Sequence, residues 1–446
     1  MKLINKISAI FCVLLVLASC KKEENLDGPL PDTLGGETWT KGAIDKWLYD
    51  SLTKTYNIET KYRWDPWEVQ LDKTLVPPDE NKVIPVMTAV KRIWIDPYTQ
   101  ETGSDLFIKK YAPKEFILVG SPQYDFGQIL LGQAEGGNKI ALYTINNFDQ
   151  SNIIELRRML HTIEHEFAHI LHQNILYPVE YKSISTGYTA TWFNISEEEA
   201  RENGFITAYS MSGPDEDFVE MVSIMLVNGK EVYEEMIASI TNPEAQADLR
   251  RKEEIVVSYF KQSWNIDFYR LQQRTQNAIN KLAGPPPAIE AYFGFEKAYS
   301  SSLVSISSPK LLPQSPGFIQ VYNQAKLGLK GVGGRELLDS TYMFFSADDT
   351  IILAALYRNA SRDTLSAAHF VYAITKDGGN VYSFKYVGTN SNGLIIQSGI
   401  APLLNYFSNN KFRIDWYKDP NKDFQLRSVF TPQQDPSAYF VGLLLE

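Results

Sequence analysis

Cysteine is nearly absent. The 446-residue chain holds 2, Cys12 and Cys20, which excludes a disulfide framework and a Cys-ligated zinc cluster. Positive charge is also short: 43 Lys and Arg stand against 53 Asp and Glu, a net charge of −10. A chain of that sign is poorly suited to neutralising phosphates, so no nucleic-acid partner is expected. No apolar run reaches the ~20 residues that a transmembrane helix needs. There is no internal repeat and no low-complexity tract. Histidine is scarce as well, with 5 in the chain. Four of them fall between His161 and His172.

What is present begins with a leader. Lys2 and Lys6 precede the apolar run 7–17, which closes in Leu17-Ala18-Ser19-Cys20. That ending resembles the lipobox of bacterial lipoproteins and implies cleavage before Cys20 and acylation of Cys20. Residues 1–20 are therefore read as a signal peptide and 21–40, polar and rich in Gly and Pro, as a flexible tether. An outer-membrane lipoprotein is expected, facing the periplasm or the cell surface and held to the membrane by its N-terminal lipid. The acidic pair Glu23-Glu24 resembles signals that send some lipoproteins to the surface.

The fold class reads as α+β. Helical spacing appears at 41–55 and 82–96, strand character at 56–64, 115–120 and 139–145, and a Gly-rich lead-in at 132–137. A helix is expected over 152–173, with Asn152 as N-cap and Glu155 at N3. Mostly helical sequence runs from 197 to 283 and stops at Gly284-Pro285-Pro286-Pro287. Residues 41–283 are thus expected to form one domain, 284–287 a linker, and 288–446 a mainly β domain. In that second domain Asp377-Gly378-Gly379 and Asn392-Gly393 are expected at hairpin turns.

The chemistry sits in the 152–173 helix. It carries His165-Glu166-Phe167-Ala168-His169. Two histidines four apart share one helix face, so both imidazoles can reach one metal ion. Glu166 lies ~100° around from His165, beside the ion, where it can take a proton from water. His161 and His172 lie about a turn beyond the pair and are expected to pack or to support it. Zinc on two histidines needs a third protein ligand and an open position. The next histidine is the distant His369, so a carboxylate is expected. Two pairs compete, Glu198 with Glu202 and Glu216 with Glu220. The first reads as a solvated helix start. The second opens a helix after Gly213-Pro214, one member placed to bind metal and the other to orient a ligand histidine.

These residues carry a resemblance. Residues 41–283 resemble the zinc-binding metallopeptidases found among outer-membrane lipoproteins, which belong with the gluzincins and share a layout similar to that of anthrax lethal factor. The matching elements are His165 to His169, Tyr209 seven residues before the acid, Glu216-Asp217-Phe218-Val219-Glu220, and the segment 136–143. The resemblance implies a zincin-like domain, with a mixed sheet, an active-site helix and a helical C-terminal half. It implies Zn2+ on His165, His169 and Glu216. Glu166 would then be the general base, Tyr209 the donor to the oxyanion, and Glu220 the partner of a ligand histidine.

The expected function is zinc-dependent hydrolysis of a peptide or protein substrate, through a zinc-bound water activated by Glu166. The strand at 139–145 is expected to pair edge-on with an extended peptide. The rival expectation is a surface lipoprotein that binds a glycan or glycoprotein and keeps a non-catalytic zinc site. The β domain, with its own glycan or protein ligand, and aromatics such as Tyr188 and Trp192 would serve that role.

Overall fold

The computed structural model describes residues 39–63, 74–125, 128–130, 132–135, 139–359, 364–420, 423 and 425–445. The leader, Cys20, nearly all of the tether and the segment 136–138 lie outside the described residues. The α+β expectation holds: a mixed sheet with helices is followed by a β barrel.

The sheet has four strands, β1 (Glu59–Lys61), β2 (Glu115–Leu118), β3 (Gly132–Glu135) and β4 (Lys139–Leu142). Their order is β1-β2-β4-β3, with β1, β2 and β4 parallel and β3 antiparallel at the edge. This corrects two expectations. The 139–145 segment is not an edge: β4 is paired on both sides, by β2 and by β3. Residues 132–135, read as a Gly-rich lead-in, are the edge strand itself. Small residues at Gly132 and Ala134 hide the alternation that would have marked a strand. The strand expected at 56–64 shrinks to 59–61 within the described part, because Tyr56 still belongs to the preceding helix.

Four long helices follow, α1 (Ile153–Asn174), α2 (Pro214–Ser239), α3 (Pro243–Trp264) and α4 (Phe268–Ala283), with a short one, Glu197–Glu202, between the first two. Asn152 caps α1, its side chain accepting from the Ile154 and Glu155 amides at 3.0 and 3.2 Å. The apolar side of α1, Leu156, Leu160, Ile163 and Phe167, is fully buried. Phe167 receives Trp94, Tyr98 and Phe107 edge-on at centroid distances of 5.2 to 6.1 Å. That packing pins one side of α1 and leaves the histidine side facing α2. Within α2, Gly229 takes φ +79 and interrupts the helix, and a Cβ there would strike Gln276 at 2.9 Å. Among the described residues no helix is long and apolar enough to cross a membrane.

The second unit is a closed eight-stranded antiparallel barrel. Its strands are β5 (Ser301–Ser305), β6 (Arg335–Ala347), β7 (Thr350–Asn359), β8 (Thr364–Lys376), β9 (Val381–Thr389), β10 (Lys411–Trp416), β11 (Arg427–Pro432) and β12 (Phe440–Leu445). Each strand pairs with its sequence neighbour and β12 closes on β5, which removes exposed edges. Gly378 and Gly379, both at positive φ, turn the chain between β8 and β9 as expected. Asn392-Gly393 is not a hairpin turn. It lies in the helix Ser391–Ile396, and Asn390 caps that helix by accepting from the Gly393 amide at 2.8 Å. Asn392 itself donates to the Ala367 carbonyl at 3.0 Å, a contact with β8 that the Asn-Gly pair does not reveal in sequence.

The two units touch. Arg157 on α1 donates to the Pro420 carbonyl at 3.2 Å, Lys310 to the Ile240 carbonyl at 2.9 Å, and Lys418 pairs with Glu235.

Candidate metal centre

The histidine side of α1 faces the first two turns of α2. There His165 Nε2 and His169 Nε2 each lie 3.2 Å from the same oxygen, Oε2 of Glu216. The three ligating atoms all fall within 4.8 Å of one another. Tetrahedral zinc with bonds of ~2.0–2.1 Å sets its ligand atoms about 3.3 Å apart, so the spacing fits that ion.

The proton inventory points the same way. Glu220, buried on α2, accepts from His165 Nδ1 and from His161 Nε2, both at 2.8 Å, through Oε1. Its Oε2 accepts from the Thr207 hydroxyl at 2.7 Å. Burial opposes its charge, yet His161 and His165 outweigh burial and hold the Glu220 carboxyl well below the usual carboxylate range. An ionised carboxylate can only accept, so the His165 proton sits on Nδ1. The Nε2 lone pair of neutral His165 then meets the Glu216 carboxylate, an acceptor facing an acceptor. A positive charge has to stand between them. Without a metal it is a second proton: burial disfavours charged His165, but Glu216 and Glu220 prevail and hold its pKa up at about 10. A divalent cation held by His165, His169 and Glu216 would take the place of that proton and satisfy all three atoms.

His169 is supported in turn. Its Nδ1 is 3.0 Å from His172 Nε2. Burial and the nearby His169 push the His172 pKa down to about 4, so His172 is neutral and can accept from His169. A second triad, His161, His165 and Glu220, also lies close enough to hold an ion. It uses the other nitrogen of His165, and its arrangement is the one that fixes the tautomer and aim of that ring.

Glu166 is half-buried, one residue past His165. Its charge acts on both His165 and Tyr209. The Tyr209 ring lies 5.8 Å from the His165 ring and is 37% exposed. Burial, then the charge of Glu216 and a hydrogen bond with it, hold the Tyr209 hydroxyl protonated far above neutral pH. The structure therefore brings His165, Glu166, His169, Tyr209, Glu216 and Glu220 together. Glu198 and Glu202 stand apart. Glu198 is exposed, and Glu202 accepts from the Thr241 and Asn242 amides at 2.6 and 2.8 Å.

One partner of the site, Lys252, gave no sequence signal. Asp217, between Glu216 and Glu220, is fully buried against Lys252 of α3 at 2.6 Å. Lys252 also donates to the Gly204 carbonyl at 2.8 Å, and the Tyr188 hydroxyl donates to Asp217 at 3.1 Å. Gly204 holds φ +79, where a Cβ would meet Ser185 Oγ at 2.9 Å. The run Arg250-Arg251-Lys252-Glu253-Glu254 reads as a solvated helix face, and nothing in it marks the one lysine that turns inward. Tyr188, expected as an exposed aromatic, is half-buried with its hydroxyl engaged.

A family model described as "Putative zinc-binding metallo-peptidase" matches residues 37–269, a little over half of the chain. The chain is also similar to the crystal structure of a putative zinc-binding metallo-peptidase from Bacteroides caccae. The identity is 33%, over 54% of this chain and 92% of that one, with a TM-score of 0.48. No curated protein matches the chain.

Proposed function

The chain belongs to this family of zinc-binding metallo-peptidases, and on that premise we propose that it hydrolyses peptide bonds in a peptide or protein substrate, with Zn2+ held by His165, His169 and Glu216. The observation that carries the reading is the convergence of two imidazole nitrogens on one carboxylate oxygen at 3.2 Å. Bound there, zinc would lower the pKa of a water towards ~7 and polarise a peptide carbonyl.

The chain's own residues do the rest. Glu166 takes a proton from the attacking water and passes it to the leaving amine. Tyr209, protonated at working pH, donates to the developing oxyanion. Glu220 holds His165 in the tautomer that frees Nε2, and His172 does the same for His169. Among the described residues β3 is the edge of the sheet, and an extended substrate can pair with its outer side.

One assay on a zinc-loaded chain grades these roles. Glu166→Gln keeps zinc and loses ~10²–10⁴ in kcat. Tyr209→Phe keeps zinc and loses ~2.7–4 kcal/mol of transition-state stabilisation. Glu216→Ala loses the metal, measured by metal analysis. Chelator-sensitive cleavage of casein at equal rates in wild type and Glu166→Gln would remove the proposed base.

For location, we propose an outer-membrane lipoprotein anchored through Cys20, on the strength of the 1–20 sequence alone. Cys20→Ser should move the protein from the detergent phase to the aqueous phase. An unchanged partition refutes the anchor.

A further inference from the structure

Beside Tyr209 at the metal centre stand two rings, Trp192 and Phe193, that the proposed chemistry does not use. Tyr209 lies 5.8 Å from His165, ring to ring. Trp192 meets Tyr209 at 4.9 Å and 76°, and Phe193 meets Trp192 at 6.0 Å and 80°. Phe193 is 42% exposed and Trp192 is half-buried. Large apolar rings left open to water are costly, and a contiguous set of them at a reactive centre is a feature of binding surfaces.

We propose that Trp192 and Phe193, with the ring of Tyr209, form a subsite that takes a large apolar or aromatic side chain of the substrate next to the scissile bond. The inference rests on the peptidase reading and deepens it.

Three observations support it. First, the rings are firmly based. Trp192 packs with Tyr188 and Ile195 on a small separate core of Ala200, Phe205, Ala208 and Met211. The Thr189 amide donates to the Met211 carbonyl at 2.8 Å, which ties this segment to the turn carrying Tyr209. Second, the position is right. A side chain lying against Tyr209 is within one residue's reach of the carbonyl whose oxyanion Tyr209 would receive. Third, the shape selects the ligand. The rings meet near right angles and make corners into which a side chain inserts.

The test uses the full zinc-loaded chain and a peptide series varied on both sides of the cleaved bond. Cleavage is expected beside a Phe, Leu or Tyr residue. Phe193→Ala and Trp192→Ala should each lower the ratio of kcat/KM for Phe over Ala at that position by about tenfold, with zinc content retained. Cleavage without such a preference, or a ratio unchanged in both variants, overturns the subsite. Trp192 also holds the small core together, so Phe193→Ala, the more exposed ring, decides if Trp192→Ala misfolds. If the wild-type chain cleaves no peptide, the peptidase reading fails, and binding judges the subsite separately. The Glu166→Gln chain is then titrated with Phe- and Ala-containing peptides by tryptophan fluorescence. Tighter binding of the Phe peptide, abolished by Phe193→Ala, upholds the subsite. Equal binding, or binding of a neutral oligosaccharide in place of either peptide, refutes it.

Discussion

The interior around α1 and α2 encloses Glu164, His165, Asp217, Glu220 and Lys252, each buried. The barrel interior is instead built of rings and aliphatics, with Phe318, Phe370, Phe412, Phe430 and Phe440 at full burial. Among the described barrel residues the buried ion pair is Asp423–Arg427, at the start of β11, where Arg427 also donates to the Leu311 carbonyl at 2.7 Å. Burying charge is expensive, and an apolar pair of similar volume is often as stable or more so. The barrel follows that economy almost throughout. The metal domain departs from it at Glu101, Glu164, Arg201 and Glu253 and, nearest the histidines, along a line from Lys252 through Asp217 to Glu220. Buried charge on that line lies against His161 and His165, which Glu220 orients, whereas the charge in the barrel sits at a strand end.

The largest test breaks one pair in each region. Lys252→Met leaves the Asp217 carboxylate enclosed without its cation and should cost ~3–5 kcal/mol in urea unfolding. It should also weaken zinc binding, because Glu216 and Glu220 flank Asp217. Arg427→Met should cost a comparable amount of stability and leave zinc binding as it was. The double change Lys252→Met with Asp217→Leu should recover stability without restoring full zinc affinity. If zinc affinity falls in Arg427→Met, or is untouched in Lys252→Met, buried charge has no separate role in the two regions.

Glu164 is fully buried and accepts from the Tyr98 hydroxyl at 2.8 Å. Burial raises its pKa to about 8. The folded value lies above the unfolded one, so the contribution to stability is complete below ~4.5 and is lost as pH rises through about 8. Glu164→Gln keeps the Tyr98 contact and cannot ionise. At pH 8 it should be more stable than wild type, by on the order of a few kcal/mol, and equal to it near pH 4. Thermal melts across that range check it, and parallel curves for the two proteins would count against a buried neutral acid.

Periodicity and caps carried much of this into the sequence. Asn152 and the apolar side of α1 marked that helix, and the His165-Glu166-x-x-His169 spacing placed both imidazoles on one side of it. Gly213-Pro214 announced α2, so Glu216 and Glu220 could be set opposite. Contacts that depend on a third element were illegible. Lys252 reaches Asp217 only because α3 packs across α2, and Thr207 reaches Glu220 only from a turn. The edge strand β3 was hidden because its alternation is carried by Gly and Ala. In the barrel, β5 and β11 and the helices Pro316–Lys330 and Ala401–Asn409 went unread, since short apolar runs there fit strand and helix alike.

The smallest effect belongs to an acid that chemistry does not use. Glu202 was a rival for the metal, and its carboxylate instead accepts from the Thr241 and Asn242 amides and the Thr241 hydroxyl. Asn242 in turn caps α3. Burial works against the Glu202 charge, but those bonds prevail and lower its pKa below the ordinary value. The sign is therefore the reverse of Glu164: its stabilisation is present above the unfolded pKa and is lost as pH falls through the folded one. Glu202→Ala should cost ~1–2 kcal/mol at neutral pH, the worth of a lost cap, and nothing at strongly acidic pH. Zinc content should be unchanged. Two glutamates whose pH dependences run in opposite directions separate an acid enclosed on the histidine helix α1 from one that ties a surface turn, and a loss of metal in Glu202→Ala would erase that separation.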